Sequence, residues 1–292
     1  MKRQAKVPLQ KLCYWRVGGP ADWLVDVETL EELQAVVREG LPITVLGRGS
    51  NALVHDDGVR GIVLRLKGEL AELDLATGRV GAGMWLDVLI RRLTEAGVAG
   101  AEPFIGIPGT MGGAVVMNAG TTLGEAKDVV EEVTLVLSDG EVLQLPVEDC
   151  GFGYRTSALP PRSIVAFARL HLVPDDSPER RVSFLARRKA TQPLSKPSCG
   201  STFTNPVGDH AGRLIEASGL KGYRIGGAEI SSQHANFFLN TGGATAADLA
   251  ALIRHARAVV LDRFGVLLHP EVQLLGPWEE GALTPRLHAP PG

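Results

Sequence analysis

The sequence lacks the cysteine and histidine patterns that build metal sites and disulfide frameworks. Its 292 residues contain only three cysteines, Cys13, Cys150 and Cys199, and no Cys-x-x-Cys pair. An odd number of widely spaced cysteines excludes a cysteine-based zinc site and is typical of a protein from a reducing compartment. The seven histidines include no His-x-x-x-His pair, so we expect no metal centre.

Long apolar runs and a strong excess of one charge are also missing. No apolar run is long enough to cross a bilayer, and the charged N-terminus lacks the apolar segment of a secretory signal. A formal net charge of −3 argues against general electrostatic binding of nucleic acids. With 45% hydrophobic and 22% charged residues, the sequence predicts a cytoplasmic globular protein of two or three domains, whose size and charge are compatible with a monomer.

Two glycine-rich segments are the most informative features that are present. The first, residues 45–51, contains Gly47, Arg48, Gly49, Ser50 and Asn51. The second, residues 104–114, contains Gly106, Pro108, Gly109, Gly112 and Gly113. Consecutive backbone N–H groups in glycine turns form concave anion sites, so the pair predicts a diphosphate held from two sides. Either segment alone is equally well interpreted as a tight turn between strands.

Neither segment matches a common nucleotide motif. The sequence contains no Gly-x-x-x-x-Gly-Lys-Ser/Thr, which excludes a P-loop of the usual kind. Gly81-Ala-Gly83 lacks the third glycine of the dinucleotide fingerprint.

Hydrophobic periodicity and capping residues predict an α+β chain. Thr29-Leu-Glu-Glu32 has capping-box spacing and opens a helix that Gly40 ends, and Thr245-Ala-Ala-Asp248 opens a helix to about residue 264. Further helices are predicted over residues 84–96, 179–190 and 211–217. Strands are predicted over residues 43–46, 61–66, 73–75, 79–82, 133–137, 141–145, 164–172, 225–230, 237–239 and 271–275.

These elements predict two α+β nucleotide-binding subdomains, residues 1–66 and 67–177, followed by an α+β cap over residues 178–276. The tail, residues 277–292, is rich in proline and glycine. We expect this tail to be loose or to lie on the surface.

Four later segments carry more polar residues than a core requires, and each has a plainer interpretation. Arg155 would be a surface arginine, and Ser201 would cap a turn. His234 would be a satisfied core histidine, and Glu271 would be an edge-strand carboxylate paired with an arginine. None of these positions indicates a function on its own.

Taken together, the segments resemble one enzyme family. In order along the chain stand Gly18-Gly-Pro-Ala21, Leu46-Gly-Arg-Gly-Ser-Asn51, Gly106-Ile-Pro-Gly-x-x-Gly-Gly-Ala114, Met117-Asn-Ala-Gly120, Tyr154-Arg-x-Ser157, Arg188-Lys-x-x-Gln-Pro193, Cys199-Gly-Ser-x-Phe-x-Asn-Pro206, Leu214-Ile-Glu216, Gly219-Leu-Lys-Gly222, His234-Ala-Asn-Phe237 and Leu268-x-Pro-Glu-Val272. This set resembles the UDP-N-acetylenolpyruvoylglucosamine reductases, flavoenzymes of peptidoglycan precursor synthesis. With only three tyrosines, the chain is similar to the shorter form of that enzyme, which lacks a tyrosine loop over the substrate.

The resemblance implies a fold and a set of cofactors. The implied fold is the FAD-binding fold of the vanillyl-alcohol-oxidase/PCMH type, with two α+β subdomains and an α+β substrate-binding cap. FAD would be bound noncovalently, because no histidine lies between residues 104 and 120 to form a covalent link. NADPH would be the hydride donor.

The resemblance also implies roles for individual residues. FAD would be bound by Gly47, Arg48, Gly49, Ser50, Asn51, Gly106, Pro108, Gly109, Gly112, Gly113, Asn118 and Gly120. The implied catalytic residues are Arg155, Ser201 and Glu271. The implied substrate-binding residues are Tyr154, Lys189, Asn205, Arg213 and His234.

The implied reaction is the NADPH-dependent reduction, through FAD, of the enolpyruvyl ether of UDP-N-acetylglucosamine to UDP-N-acetylmuramate. Hydride would reach C3, and negative charge would build at C2 and on the carboxylate. Arg155 would stabilise this charge with help from a protonated Glu271, whose pKa is predicted to be raised. Ser201 would deliver the proton to C2.

Two other functions stay open. Another FAD-dependent oxidoreductase of the same fold, acting on a hydroxy acid or lactone, would explain the glycine segments but not the Cys-Gly-Ser, His-Ala-Asn and Pro-Glu-Val segments. A nonenzymatic nucleotide-binding or flavin-carrying protein would leave Arg155, Ser201 and Glu271 without a common focus.

Overall fold

The computed structural model describes residues 1–175, 184–186, 192–193 and 195–284. The chain forms two units. Unit 1 consists of Met1–Lys6, Asp22–Arg48 and Gly61–Arg188, and unit 2 of Val7–Ala21, Gly49–Arg60 and Lys189–Gly292, each as far as it is described. Two N-terminal segments therefore belong with the C-terminal third of the chain. The division into residues 1–66, 67–177, 178–276 and 277–292 stays a prediction.

Helices and strands are mixed along the described residues, in agreement with the predicted α+β class. The helices are α1 (Leu30–Arg38), α2 (Leu86–Glu95), α3 (Met111–Val116), α4 (Ala211–Ala217) and α5 (Ala246–Phe264). The strands are β1 (Lys2–Pro8), β2 (Pro20–Val27), β3 (Ile43–Val45), β4 (Ala52–Val54), β5 (Val59–Leu66), β6 (Leu73–Asp74), β7 (Arg79–Gly81), β8 (Val98–Ala99), β9 (Gly120–Thr121), β10 (Gly124–Glu125), β11 (Val130–Val136), β12 (Val142–Pro146), β13 (Ile164–Leu170), β14 (Val173–Pro174), β15 (Arg224–Ile225), β16 (Ala228–Ile230), β17 (Phe238–Asn240) and β18 (Gln273–Leu275). The predicted helix over residues 179–190 lies almost wholly outside the described residues.

Unit 1 is built on two sheets that share one apolar core. The first has the strand order β1-β2-β5-β3, and the second, antiparallel sheet has the order β12-β11-β13-β7-β6. Ile62 and Leu64 of the first sheet belong to the same buried cluster as Val133 and Leu135 of the second. Helices α1 and α2 turn their apolar stripes into this cluster, which explains the helical spacing of their buried residues, Leu33, Val36, Val37, Leu86, Leu89 and Leu93.

Helix α5 is the longest element of unit 2 and begins where the sequence predicts. Thr245 Oγ1 accepts a hydrogen bond from Asp248 N, and Asp248 Oδ2 accepts one from Thr245 N, both at 3.0 Å, which completes the capping box. The Asp56 carboxylate accepts hydrogen bonds from the first two amides of the helix at 2.9 and 3.0 Å. Asp56 therefore ties the segment after the first glycine turn to α5.

The N-terminal segment is part of the core of unit 2. Trp15 is fully buried, and its Nε1–H donates to Phe238 O at 2.7 Å. Asn240 Nδ2 donates in return to Trp15 O at 2.8 Å. A small antiparallel sheet, β15-β16-β17, and the parallel pair β4–β18 complete this unit.

The tail is not loose as far as residue 284. Trp278 Nε1–H donates to Leu275 O at 3.1 Å, and Leu283 is only 8% exposed within the apolar core of unit 2. Of the two alternatives, a loose tail is wrong for these residues, because Trp278 and Leu283 anchor them. A tail that lies on the surface agrees with the exposed positions 277, 279–281 and 284. Residues 285–292 lie outside the described part of the chain.

Two other predictions are corrected by the structure. The predicted strand over residues 225–230 is a hairpin, because Gly226, with φ +53°, and Gly227 form a two-residue turn between β15 and β16. The second glycine segment is only partly a turn, since Met111–Val116 form α3. Gly112 is suited to that helix because a Cβ atom there would lie 2.9 Å from Ala82 Cβ.

The described part of the chain contains no helix with the length and apolar character needed to span a membrane. The same residues hold no cluster of three or more His, Cys, Asp or Glu side chains that could bind a metal ion. The three cysteines are buried free thiols. Burial raises the pKa of Cys13 to about 12 and that of Cys150 to about 11, so these thiols stay protonated at neutral pH.

Gly49, in the first glycine turn, lies at a point of very close backbone approach in unit 2. It has φ +62°, and a Cβ atom there would lie 2.4 Å from Leu12 O and 2.8 Å from Cys13 Cα. Its carbonyl accepts a hydrogen bond from Tyr14 N at 3.0 Å. Both the positive φ and the contact with backbone atoms require glycine at this position.

We predict that Gly49→Ala destabilises the protein more than the control Gly265→Ala. Gly265 has φ +67° with no heavy atom within 4 Å of the added Cβ, so its substitution costs only the left-handed backbone strain, about 1–2 kcal/mol. Gly49→Ala adds an overlap with backbone atoms, and we expect a loss above about 3 kcal/mol. Urea unfolding of both variants measures the difference. Equal losses would show that the close approach relaxes without cost.

Candidate active site

In unit 1, Gly47 packs directly against the second glycine segment. A Cβ atom at Gly47 would lie 2.6 Å from Thr110 Oγ1. The same hydroxyl oxygen accepts a hydrogen bond from Gly113 N at 3.4 Å and so caps α3, while the Thr110 backbone forms a β-bridge with Trp85. Gly47 and the second segment, which were predicted to hold a diphosphate from two sides, are therefore neighbours here.

Unpaired backbone N–H groups at this contact suit an anion. Within the residues that the structure describes, the amides of Gly47, Gly106 and Gly109 donate to no protein acceptor. Gly106 is exposed with φ +75°, and the adjoining Pro108 has no N–H to offer. Unpaired amides in glycine turns form anion-binding nests, so these residues fit the diphosphate of a dinucleotide cofactor.

Arg48 is held by the beginning of α2. Its Nη1 lies 2.9 Å from Asp87 Oδ1, and its guanidinium carbon lies 4.3 Å from the centre of the Trp85 ring. The ion pair and the cation–π contact hold the Arg48 guanidinium against the beginning of α2. Arg48 therefore has a structural role besides the cofactor contact predicted for it.

The side chain of Asn118 is fully buried in unit 1 and joins two neighbouring loops. Its Nδ2 donates to Glu125 Oε2 at 3.0 Å and to Gly153 O at 2.9 Å, and its Oδ1 accepts from Lys127 N at 3.0 Å. These bonds connect the residues after α3 to the turn that carries Tyr154. The side chain thus positions that turn, and its φ of +40° suits asparagine better than most residues.

Arg155 lies in one of the two loops that the Asn118 side chain joins. It has φ +58°, and its Nη2 donates to Gly120 O at 3.0 Å. Its guanidinium carbon is 5.3 Å from the centre of the Tyr154 ring, which is largely exposed. The structure therefore brings four predicted site residues of unit 1 together, namely Asn118, Gly120, Tyr154 and Arg155. Backbone strain at such a residue is typical of functional sites.

In unit 2, the segment that carries Ser201 lies between two others. Ser201 forms a β-bridge with Phe237 on one side, and on the other side Thr202 O accepts a hydrogen bond from Glu271 N at 2.9 Å. Asn51 Nδ2 donates to Glu271 O at 3.0 Å, and Asn51 O accepts from Gln273 N at 2.9 Å. Asn51, Ser201 and Glu271 thus belong to one hydrogen-bonded cluster of unit 2, with Gly49 and the half-buried Ser50 directly before Asn51.

Asn236 supports this cluster and was not predicted. It is 3% exposed, and its side chain accepts from Phe203 N at 3.0 Å and donates to Phe203 O at 2.8 Å. The Asn236 side chain therefore forms the hydrogen bonds with the Phe203 backbone that a neighbouring strand would otherwise form. Its place in the His-Ala-Asn motif was a signal, but the sequence alone does not tell a ligand-binding amide from a structural one. Thr110, within the second glycine segment, and Glu125, which lies in none of the motifs, were also not predicted.

The predicted substrate residues have protein partners. Asn205 Oδ1 accepts from Ala211 N at 3.1 Å at the start of α4. Arg213 pairs with Asp209 in a bidentate contact, whose hydrogen bonds lower the pKa of Asp209 to about 2. Both side chains lie at the same end of α4. Lys189 lies outside the described residues.

His234 is half-buried beside α4. Its Nδ1 accepts from Asn236 N at 3.3 Å, and its ring meets Phe237 edge-on at 4.8 Å. Burial lowers its pKa, and the charge of Lys221 lowers it further. A neutral ring that accepts at Nδ1 carries its proton on Nε2, so His234 can donate a hydrogen bond from that atom.

The predicted catalytic residues are distributed over both units. Arg155 belongs to unit 1, whereas Ser201 and Glu271 belong to unit 2. Within unit 2, Ser201 and Glu271 lie on neighbouring segments. The convergence of all three residues on one focus stays a prediction.

Two protein-family descriptions match the chain. An FAD binding domain matches residues 21–146, and the C-terminal domain of UDP-N-acetylenolpyruvoylglucosamine reductase matches residues 192–275. The first range contains both glycine segments, and the second contains Ser201 and Glu271. These matches confirm the predicted FAD-binding fold with an additional C-terminal domain.

Whole-chain relatives agree with these matches. UDP-N-acetylenolpyruvoylglucosamine reductase of Anaeromyxobacter dehalogenans is 50% identical over 280 residues, covering 92% of this chain and 84% of the relative. A Symbiobacterium thermophilum protein of the same name, numbered 2, is 46% identical, covering 93% and 92%. The crystal structure of the Thermus caldophilus enzyme superposes with a TM-score of 0.83 at 42% identity, covering 94% of this chain and 98% of that one.

We predict that Asn118→Asp destabilises the protein by about 2–3 kcal/mol, because it replaces two buried donors by a carboxylate facing Glu125 and Gly153 O. The double variant Asn118→Asp/Glu125→Gln exchanges donor and acceptor across the 3.0 Å contact and should recover part of this loss. Urea unfolding of both variants checks the prediction. A double variant no more stable than Asn118→Asp would show that this contact does not hold the two loops together.

Proposed function

The chain belongs to the UDP-N-acetylenolpyruvoylglucosamine reductase family, and we propose that it reduces the enolpyruvyl ether of UDP-N-acetylglucosamine to UDP-N-acetylmuramate, with FAD as cofactor and NADPH as hydride donor. The reaction is a step of peptidoglycan precursor synthesis. The observation that carries the proposal is the cluster in unit 2, where Asn51, in the turn predicted to bind the cofactor, donates to the backbone carbonyl of Glu271. This hydrogen bond supports the proposal because it joins the turn proposed to bind FAD to the residue proposed as the acid.

FAD, when bound, accepts hydride from NADPH and donates it to the substrate. In unit 1, the unpaired amides of Gly47, Gly106 and Gly109 would bind its diphosphate. The turn Gly49–Asn51 of unit 2 would also contact FAD through its backbone amides. Gly112 and Gly113 would contribute to the FAD site by forming α3. Asn118 and Gly120 would contribute by positioning Arg155, since Asn118 bonds to Gly153 O and Gly120 O accepts from Arg155.

Three side chains would act on the enolpyruvyl group. Arg155 would bind its carboxylate, because a guanidinium is permanently cationic and offers paired donors. Glu271, when protonated, would donate a second hydrogen bond to the charge that builds on the carboxylate. Ser201 Oγ would supply the proton at C2 as hydride reaches C3.

The UDP-sugar would be bound by Tyr154, Asn205, Arg213, His234 and Lys189. Arg213 can exchange its partner at little cost, since its ion pair with Asp209 is exposed and such pairs contribute little to stability. A substrate phosphate would then take the place of Asp209. His234 would donate from Nε2 to an uncharged oxygen of the substrate.

We further infer a cytoplasmic monomer that binds no nucleic acid. The buried free thiols and the lack of any disulfide among the described cysteines suit a reducing compartment. The weak net charge gives no support for binding to nucleic acids.

The visible spectrum of the purified protein tests the function. We expect flavin bands that bleach with NADPH and return anaerobically only when the enolpyruvyl UDP-sugar is added. Bands that return with another acceptor, such as the oxidised partner of a hydroxy acid, would retain the fold and reject the substrate. A protein that cannot be loaded with FAD would contradict the role of both glycine segments.

We predict that Ser201→Ala leaves flavin reduction by NADPH near its normal rate and slows reoxidation by the enolpyruvyl UDP-sugar about 10²-fold or more, because only the second step needs a proton at C2. Ser218→Ala is the matched control, since it removes a hydroxyl of unit 2 that donates to Leu214 O at 2.8 Å. Stopped-flow absorbance measures both steps. Equal slowing of the two steps in Ser201→Ala would reject the proton-transfer role.

A further inference from the structure

Arg257 is a buried cation in the middle of α5 whose partners are backbone carbonyls. It is 8% exposed, its Nε donates to Leu268 O at 2.8 Å, and its Nη1 donates to Leu283 O. Among the described residues, no carboxylate forms an ion pair with it. Burial lowers its pKa, but a guanidinium remains protonated at neutral pH.

Burying a charge at this position costs free energy. We therefore expect its hydrogen bonds to have a role that an apolar side chain cannot fill. A methionine or leucine would fill the same space without a desolvation penalty. The guanidinium differs from them because its donors lie in one plane and fix two acceptors at a defined geometry. The two acceptors here belong to different segments of the chain.

The first acceptor, Leu268 O, lies at the start of the short stretch of chain from Leu268 to Glu271. Leu268 is buried, and the next carbonyl, that of His269, accepts from Thr204 N at 3.0 Å. Pro270 forms a β-bridge with Phe203, and Glu271 N then donates to Thr202 O. Arg257 therefore holds one end of a short stretch that runs beside the Ser201 segment and has the Glu271 carboxyl at its other end.

The second acceptor belongs to residues 277–284, which we call the C-terminal strap. Arg254, one turn before Arg257 on α5, donates from Nη1 to Ala282 O at 2.7 Å. At the other end of the strap, Trp278 Nε1–H lies 3.3 Å from Leu53 O in β4. The strap thus joins α5 to the strand that follows the first glycine turn.

We propose that Arg257 is a positioning residue for Glu271, with the C-terminal strap as its second anchor. The inference rests on the proposed function, since it gives Arg257 the task of holding the Glu271 carboxyl where the enolpyruvyl group is reduced. Arg257 itself does not touch the substrate. Its loss would shift the stretch from Leu268 to Glu271, while the amides of Gly47, Gly106 and Gly109 in unit 1, proposed to bind the FAD diphosphate, would stay in place.

The test compares Arg257→Met with the control Arg254→Met in the full-length FAD-loaded protein. Both variants release a carbonyl of the strap, but only Arg257→Met releases Leu268 O. We expect Arg257→Met to slow reoxidation of reduced flavin by the enolpyruvyl UDP-sugar on the order of 10²-fold, the effect of a displacement of about 1 Å. Its FAD content and its flavin reduction by NADPH should stay within about twofold of wild type, and Arg254→Met should leave both steps within the same range.

Amide hydrogen exchange provides a measurement that does not depend on turnover. We expect faster exchange of the peptides around Thr204 and Glu271 in Arg257→Met and not in Arg254→Met, because their amides close the bonds that align this stretch. If Arg257→Met does not fold, Arg257→Lys takes its place, since a lysine keeps the charge but cannot span both carbonyls in one plane. It should show the same selective slowing to a smaller degree.

Three outcomes would overturn the proposal: equal slowing of both flavin steps in Arg257→Met, the same slowing in Arg254→Met, or unchanged exchange around Thr204 and Glu271. Failure of the proposed function would be recognised separately. In that case wild-type flavin itself would not be reoxidised by the enolpyruvyl UDP-sugar, while the exchange experiment would still report whether Arg257 fixes the stretch.

Discussion

The structure of unit 2 depends on the close approach of the first glycine turn to the N-terminal segment. Gly49 lies against Leu12 and Cys13 at distances that only a residue without a Cβ allows. This contact places Asn51 where its amide reaches the Glu271 backbone. Because β4 continues from the same turn and pairs with β18, one backbone contact determines the position of the glycine turn, the last strand and the proposed acid together.

In each unit, a buried asparagine side chain aligns loops that carry predicted site residues. Asn118 connects the residues after α3 to the turn before Arg155, and Asn236 lines the backbone at Phe203 beside Ser201. An asparagine offers donors and an acceptor in a rigid plane, so it can satisfy loop backbone that has no strand partner. Such loops would otherwise bury unpaired N–H and C=O groups, which is costly. Irregular segments within each unit can therefore hold the predicted site residues in defined positions.

The predictions that succeeded depend on short-range signals. Thr245 and Asp248 begin α5, and the strands predicted over residues 133–137 and 141–145 form the antiparallel pair β11–β12, because capping and turn geometry involve only a few neighbouring residues. The predictions that failed concern features whose outcome depends on distant contacts. Gly226 and Gly227 form a turn within an apolar run, and Leu283 packs into a core formed by residues far from it in sequence.

The sequence by itself determined the family, the α+β class, the two glycine segments and the set of candidate residues, since each is carried by a local pattern or by the order of several patterns. Only the tertiary structure decided which of these residues are tied together. Asn51 and Glu271 are separated by most of the chain but joined by one hydrogen bond, and Arg257 acquires a role only because Leu268 and Leu283 meet its guanidinium. Hydrogen bonds between remote segments depend on the packed core, and no periodicity or spacing in the sequence encodes their partners.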